Sequence, residues 1–187
     1  MASKVGIANN ALTNLGADRI MSFTEDSENA RNVNNIFDQT LDMILQDHPW
    51  NFARYRQELA QTVDTPVFDY DYQYTLPTNP YCLRVLRAED DKNFVIEGRK
   101  LLTDETIISI EYIGRIVDMN LLSALFIEAF SYYLSMKLAY AIPGSGKQRE
   151  FNEQDYILML KKAKSRDAQE GNKEIVQDKG NWYNARF

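Results

Sequence analysis

Residues 121–142, LLSALFIEAFSYYLSMKLAYAI, make the longest apolar run in the chain, and any fold must first find a way to bury it. Leu122, Phe126, Ala129, Tyr133, Met136 and Tyr140 recur at helical spacing, while Ile127, Phe130, Leu134 and Leu138 make a second apolar face. A helix with two apolar faces has to be packed on most sides. At ~1.5 Å per residue it would be roughly 30 Å long, enough to cross a small domain or a bilayer. Glu128, Lys137 and the hydroxyls of Ser131, Tyr132, Tyr133 and Ser135 argue against lipid, because hydrocarbon supplies them no partners. The expectation is a long, buried central helix, with a membrane span as the alternative.

The chain has 187 residues, 44% of them hydrophobic, and can bury one sizeable core; no low-complexity linker divides it. A single cysteine, Cys82, excludes an internal disulfide framework, and no charged-apolar-small leader precedes the first helix, so synthesis in the cytoplasm is expected. The charge is unevenly spread: residues 1–146 hold 12 Lys/Arg against 20 Asp/Glu, and residues 147–187 hold 9 against 7. An acidic body is poorly suited to gripping nucleic acid, since neutralising phosphates supplies most of such affinity.

The remaining segments read as cover for the central run. Ser3 to Leu15 predicts an amphipathic helix with Ser3 as N-cap and Gly16 as its stop. Asp26 or Ser27 caps a second helix whose Ala30, Val33, Phe37, Leu41 and Ile44 keep helical spacing until Pro49. His48, the only histidine, falls at that helix's C-terminus, where partial positive charge is favourable without any catalytic purpose. Phe68, Tyr70, Tyr72, Tyr74 and Leu76 alternate with polar residues, which predicts a half-buried strand over 68–76 closed by Pro77. Its tyrosines could form a stacking platform, but the interleaved charges are aspartates, so packing in a core or against a neighbouring subunit is the better reading.

Further strands are predicted at 83–87, 94–96 and 107–113, with a turn at Gly98 between the last two. Pro143-Gly144-Ser145-Gly146-Lys147 superficially suggests a phosphate loop, yet a helix precedes it and Gln148 stands where Ser or Thr is needed; it reads as a connector. Asn152 and Asp155 read as an N-cap pair for a last helix ending before Gly171. The expected fold is therefore α+β, mainly α. It is a helical bundle around a long central helix, with helices over about 3–15, 27–48, 119–142 and 152–170 and a small antiparallel β insertion over about 53–115. Residues 1–170 form one domain and 171–187 an extended C-terminal arm. In the arm, Ile175, Val176, Trp182, Tyr183 and Phe187 follow no period, and Lys179 and Arg186 add charge, a composition suited to docking on a partner. Trp50, Phe52, Tyr70, Tyr72 and Tyr74 are the expected core or subunit contacts.

Several of these stretches resemble one family. Ala11-Leu12 to Leu15-Gly16, the run SFTEDSENAR at 22–31, Pro49-Trp50-Asn51-Phe52-Ala53, Tyr74-Thr75-Leu76-Pro77 with Cys82-Leu83-Arg84-Val85-Leu86, Ile110-Glu111-Tyr112-Ile113 and Ala163 to Glu170 match, in order and spacing, the tail tubular protein A-like head-to-tail adaptors of short-tailed bacteriophages. The resemblance implies a virion structural protein at the head–tail junction. It would form a dodecameric ring under the portal, contact a tail nozzle or other tail protein, and line a channel through which DNA passes without specific binding during ejection. It implies no catalytic residue, no cofactor, no metal and no membrane contact. The β region is compact beside that of longer family members. Asp26, Glu28 and Glu111 supply carboxylates, but no second group stands at motif spacing for catalysis. The alternative class is a soluble homo-oligomeric or small-molecule-binding module without catalytic activity. From the acidic body we expect negligible duplex-DNA binding by the isolated protein at physiological salt; sub-micromolar binding in a titration would refute a non-adhesive channel wall.

Overall fold

Four helices and two three-stranded antiparallel sheets make up the computed structural model, which describes residues 2–142 and 146–171. Helix α1 is Lys4–Asn14, started by the Ser3 hydroxyl, which accepts the Gly6 N–H at 3.0 Å. It ends in a Schellman turn: Gly16 has φ of 69°, and the Gly16 and Ala17 amides bond back to Thr13 and Leu12. Helix α2, Glu28–Asp47, is capped by Ser27 and buries Ala30, Val33, Phe37, Leu41, Ile44 and Leu45 on one face. It has no basic residue in its last turn. Its terminal carbonyls are met instead by the Trp50 indole N–H on Ile44 (3.1 Å) and the Arg84 guanidinium on Gln46 (3.0 Å).

The fold is α+β, but it is not a bundle around a long central helix. The apolar run forms α3, Ala124–Leu138, of 15 residues, shorter than α2 with 20 and α4, Gly146–Glu170, with 25. The Ser123 hydroxyl accepts the Phe126 N–H and so starts the helix three residues into the run. At the other end the chain turns through 139–142, leaving Tyr140 exposed. Phe126, Ala129, Phe130, Leu134 and Leu138 are buried in one stripe, whereas Glu128 and Lys137 face solvent. Ser131 and Ser135 are buried too, because each bonds a carbonyl of its own helix, Ile127 at 2.8 Å and Tyr132 at 2.7 Å. Among the described residues no helix is long and apolar enough to cross a membrane. The last helix begins at Gly146 rather than near 152. Asn152 is not a cap; it is buried and donates to the Asn14 carbonyl at 3.4 Å, docking α4 on the end of α1.

The strands all fall between Arg54 and Gly114, within the expected β insertion over about 53–115, and they form two sheets. Sheet A runs β1 (Arg54–Glu58), β6 (Ser109–Gly114), β3 (Cys82–Ala88), with β6 central. Sheet B runs β2 (Tyr72–Thr75), β5 (Lys100–Thr103), β4 (Val95–Glu97). Gly98, at φ of 60°, makes the tight turn between β4 and β5, where a side chain would be strained. Past β1 the chain moves from one sheet to the other: Leu59 donates to Ile108 beside β6, and Gln61 bridges Tyr74 in β2.

Two cores result. The larger gathers α1 to α4 with Ala53, Ile113 and Ile116; Leu83 and Leu86, at the two irregularities of the β3–β6 ladder, pack against it. The smaller lies between the sheets and holds Leu59, Tyr74, Leu101, Ile108, Ile110 and Tyr112. Arginine pairs tie them: Arg115 holds Asp42 of α2 with two side-chain contacts at 3.0 Å and lies over Tyr81, whose ring also carries Arg99. Arg99 in turn donates to the Pro77 and Cys82 carbonyls at 2.7 and 2.6 Å.

Trp50 joins the helices to sheet A. It is 1% exposed, stacks on Phe52 at 5.7 Å and meets Phe126 edge-on at 4.9 Å. Trp50→Ala should cost roughly 3–5 kcal/mol, read as a lowered midpoint in chemical denaturation; an unchanged midpoint would mean that this ring does not brace the core.

Candidate docking interface

Helix α4 turns Tyr156, Leu160, Ala163 and Asp167 toward the rest of the fold at three- and four-residue spacing, so one carboxylate ends an otherwise apolar stripe. Asp167 is buried to 8% exposure against the turn after α2. One oxygen accepts the Asn51 backbone N–H at 2.9 Å and the other faces His48 Nε2 at 3.1 Å; the Asn51 side-chain amide donates to the Asp167 carbonyl. Lys164 adds an ion pair to Asp47 at 2.9 Å. The end of α4 is thereby fixed to the helix–sheet junction, and an added Cβ on Gly171 would lie 3.8 Å from Asn51. Gly171, the last described residue, is thus held at a fixed point on the body.

The residues expected to serve as contacts fall in different places. Trp50 is in the larger core, with Phe52 half-buried beside it. Tyr74 is in the smaller core, 1% exposed, its hydroxyl bonded to the Glu105 carbonyl at 2.7 Å; burial pushes its ionisation above the usual tyrosine range. Tyr72 lies partly buried beside it. Tyr70 is not in the strand, which begins at Tyr72, because Asp69 takes a left-handed backbone (φ 70°) and Asp71 donates its N–H to the Asp104 carboxylate. The three tyrosines therefore do not form a stacking platform. The arm residues Ile175, Val176, Lys179, Trp182, Tyr183, Arg186 and Phe187 lie outside the described residues, as do Pro143, Gly144 and Ser145 of the connector.

Glu111 is the other buried carboxylate among the described residues. It sits on β6 opposite Arg56 of β1 and Arg87 of β3, with Arg87 Nε at 2.8 Å and Arg54 at 3.4 Å. Its cross-strand neighbours account for its burial, so this is a structural carboxylate of the sheet face. The Cys82 thiol is buried, and burial raises its pKa, which makes it a poor nucleophile. A groove of about 620 Å³ between α2 and residues 115–117 is lined by Lys4–Asp38 and Arg115–Asp42 pairs that already satisfy one another. Among the described residues no three His, Cys, Asp or Glu side chains converge as metal ligands.

Two features escaped sequence reasoning. Asp167 gave only the signal of a carboxylate in phase with Tyr156, Leu160 and Ala163. Residues 68–71, expected to begin the 68–76 strand, belong instead to a loop over 62–71 in which Val63 and Val67 are 101% and 95% exposed and Phe68 is 76% exposed.

The clamp carries a pH dependence. Burial lowers the His48 pKa below 6.5, Asp167 opposes that shift, and Lys164 adds to it. The unfolded chain therefore takes up this proton first as pH falls, so the associated stability is present above pH 6.5 and lost on acidification. The melting temperature of the wild type should fall between pH of about 7.5 and about 5.5, and His48→Gln should flatten that slope; an unchanged slope would place the titrating group elsewhere.

No protein-family model matches this sequence, and no curated protein matches it.

Proposed function

We propose that the chain is a structural head-to-tail adaptor of a short-tailed bacteriophage. Copies form a ring beneath the portal, link capsid to tail and surround part of the DNA passage. One observation carries the reading: two of the stretches on which the family resemblance rests, Pro49 to Ala53 and Ala163 to Glu170, meet at the Asn51–Asp167 clamp though they are far apart in sequence. A family-like motif pair that forms one rigid mount supports a common architecture more strongly than either stretch does alone.

The mount also suits the arm. A segment held at Gly171 by a fixed helix end can seek a partner within its own reach, and ordering it on contact favours a preformed ring over free subunits. Its apolar residues set residence time, and Lys179 and Arg186 assist encounter with acidic groups. An acidic body repels the phosphates of DNA in transit and so adds little drag. Deleting residues 172–187 should leave the melting temperature nearly unchanged and abolish co-sedimentation with portal rings. Full attachment by the truncated chain would move the portal contact to the helical body.

A further inference from the structure

The 62–71 loop is built to project apolar side chains. Gln73, only 5% exposed, donates its side-chain amide to the Asp64 carbonyl at 2.7 Å, and the Thr62 amide bonds the Gln73 carbonyl at 2.9 Å. At the other end the Asp71 N–H is held by Asp104. Between these anchors Val67 and Phe68 point into solvent, and the carboxylates of Asp64, Asp69 and Asp71 make no ion pair among the described residues. Anchors at both ends of the loop reduce the freedom that binding would otherwise remove.

A surface of matching character lies on the outer side of α4. Ile157 and Leu158 are 59% and 47% exposed, and a shallow, open groove of about 400 Å³ along the same helix face is lined by Leu158, Lys161, Lys162, Ser165, Arg166 and Gln169. Lys161 and Lys162 make no ion pair among the described residues, while Arg166 is engaged by Glu170 at 3.4 Å. The opposite side of α4 is the one committed to its own fold, through Tyr156, Leu160, Ala163 and Asp167.

We propose that the 62–71 loop of one copy docks on the outer groove of α4 of a second copy. Val67 and Phe68 cover Ile157 and Leu158, and Asp64, Asp69 and Asp71 face Lys161 and Lys162. Acid meets base and apolar meets apolar, on a body that is otherwise acidic and repels its own kind. The loop leads into sheet B and the groove lies on the helical layer, so the two surfaces differ and the contact is heterologous. Each copy keeps one loop and one groove to offer, and such contacts propagate until they close into a ring. The inference rests on the adaptor reading only for that closure.

Two full-length variants test it in sedimentation experiments, D64K/D69K/D71K and K161E/K162E. Each alone should self-associate about ten-fold more weakly than wild type. Mixed in equal amounts they should recover association, because lysine loops then meet glutamate grooves and aspartate loops meet lysine grooves. V67S/F68S, which alters no charge, should weaken association as well and guards against a misfolded charge variant. A wild type that stays monomeric at roughly millimolar concentration overturns the proposal. So do variants that associate like wild type, or a mixture no better than its components. Portal binding by variants whose self-association is unchanged overturns the contact and leaves the adaptor reading standing. Charge-dependent association without portal binding upholds the contact and removes the adaptor reading.

Discussion

The burial of Trp50 is the contact on which the arrangement of layers depends. Its ring continues a series of aromatic contacts from Phe23 through Phe37 and Phe130 to Phe126, with neighbouring centroids between 4.9 and 6.3 Å apart. That series begins in the loop before α2, crosses α2 and α3, and ends where the chain enters sheet A. The indole N–H caps α2, but a hydrogen bond of that kind nets only about 1 kcal/mol, whereas burying a large aromatic is worth about 2–3 kcal/mol before any cavity is counted. Packing therefore decides the position of the turn, and the hydrogen bond decides the orientation of the ring within it. Asp167 reaches this same turn from α4, so the two ends of the chain's helical part are referred to one place.

Charged groups play the secondary part. The three guanidiniums around Glu111 are 40%, 76% and 56% exposed, so solvent screens them and their net stabilisation is modest. What they supply is a partner for a carboxylate on a central strand, which would otherwise be costly to bury. The Arg99–Tyr81–Arg115 arrangement works in a similar way: two planar cations over one ring align the loop before β3 with the start of the connection to α3.

Local chemistry was readable in the sequence wherever the chain decides its own conformation. Ser3, Ser27, Gly16 and Pro49 delimit α1 and α2, because caps and stops act within a few residues. Gly98 marked a turn for the same reason, although the turn joins β4 to β5 rather than leading to β6. The reading failed where a distant partner decides. β1, RYRQE, carries no strand pattern, and its arginines are explained only by Glu111 on β6. Ser131 and Ser135 looked like groups in need of outside partners, but their own helix satisfies them. Asn152 looked like a cap and is a contact to α1. At the candidate interface Trp50 was legible as an anchor, while the exposure of Phe68 depended on one left-handed aspartate that the alternating pattern concealed.

The central strand of sheet A faces two ways at once. Ile113 belongs to the helical core, while Ile110 and Tyr112 belong to the core between the sheets. In a sheet with one wet face, a slip of one residue exchanges apolar for polar and is resisted on one side only. Here the same slip would send Tyr112 into the helices and Glu111 into the dry space between the sheets. Two cores thus both resist a one-residue slip of this six-residue strand, and folding either core proofreads the facing of the other.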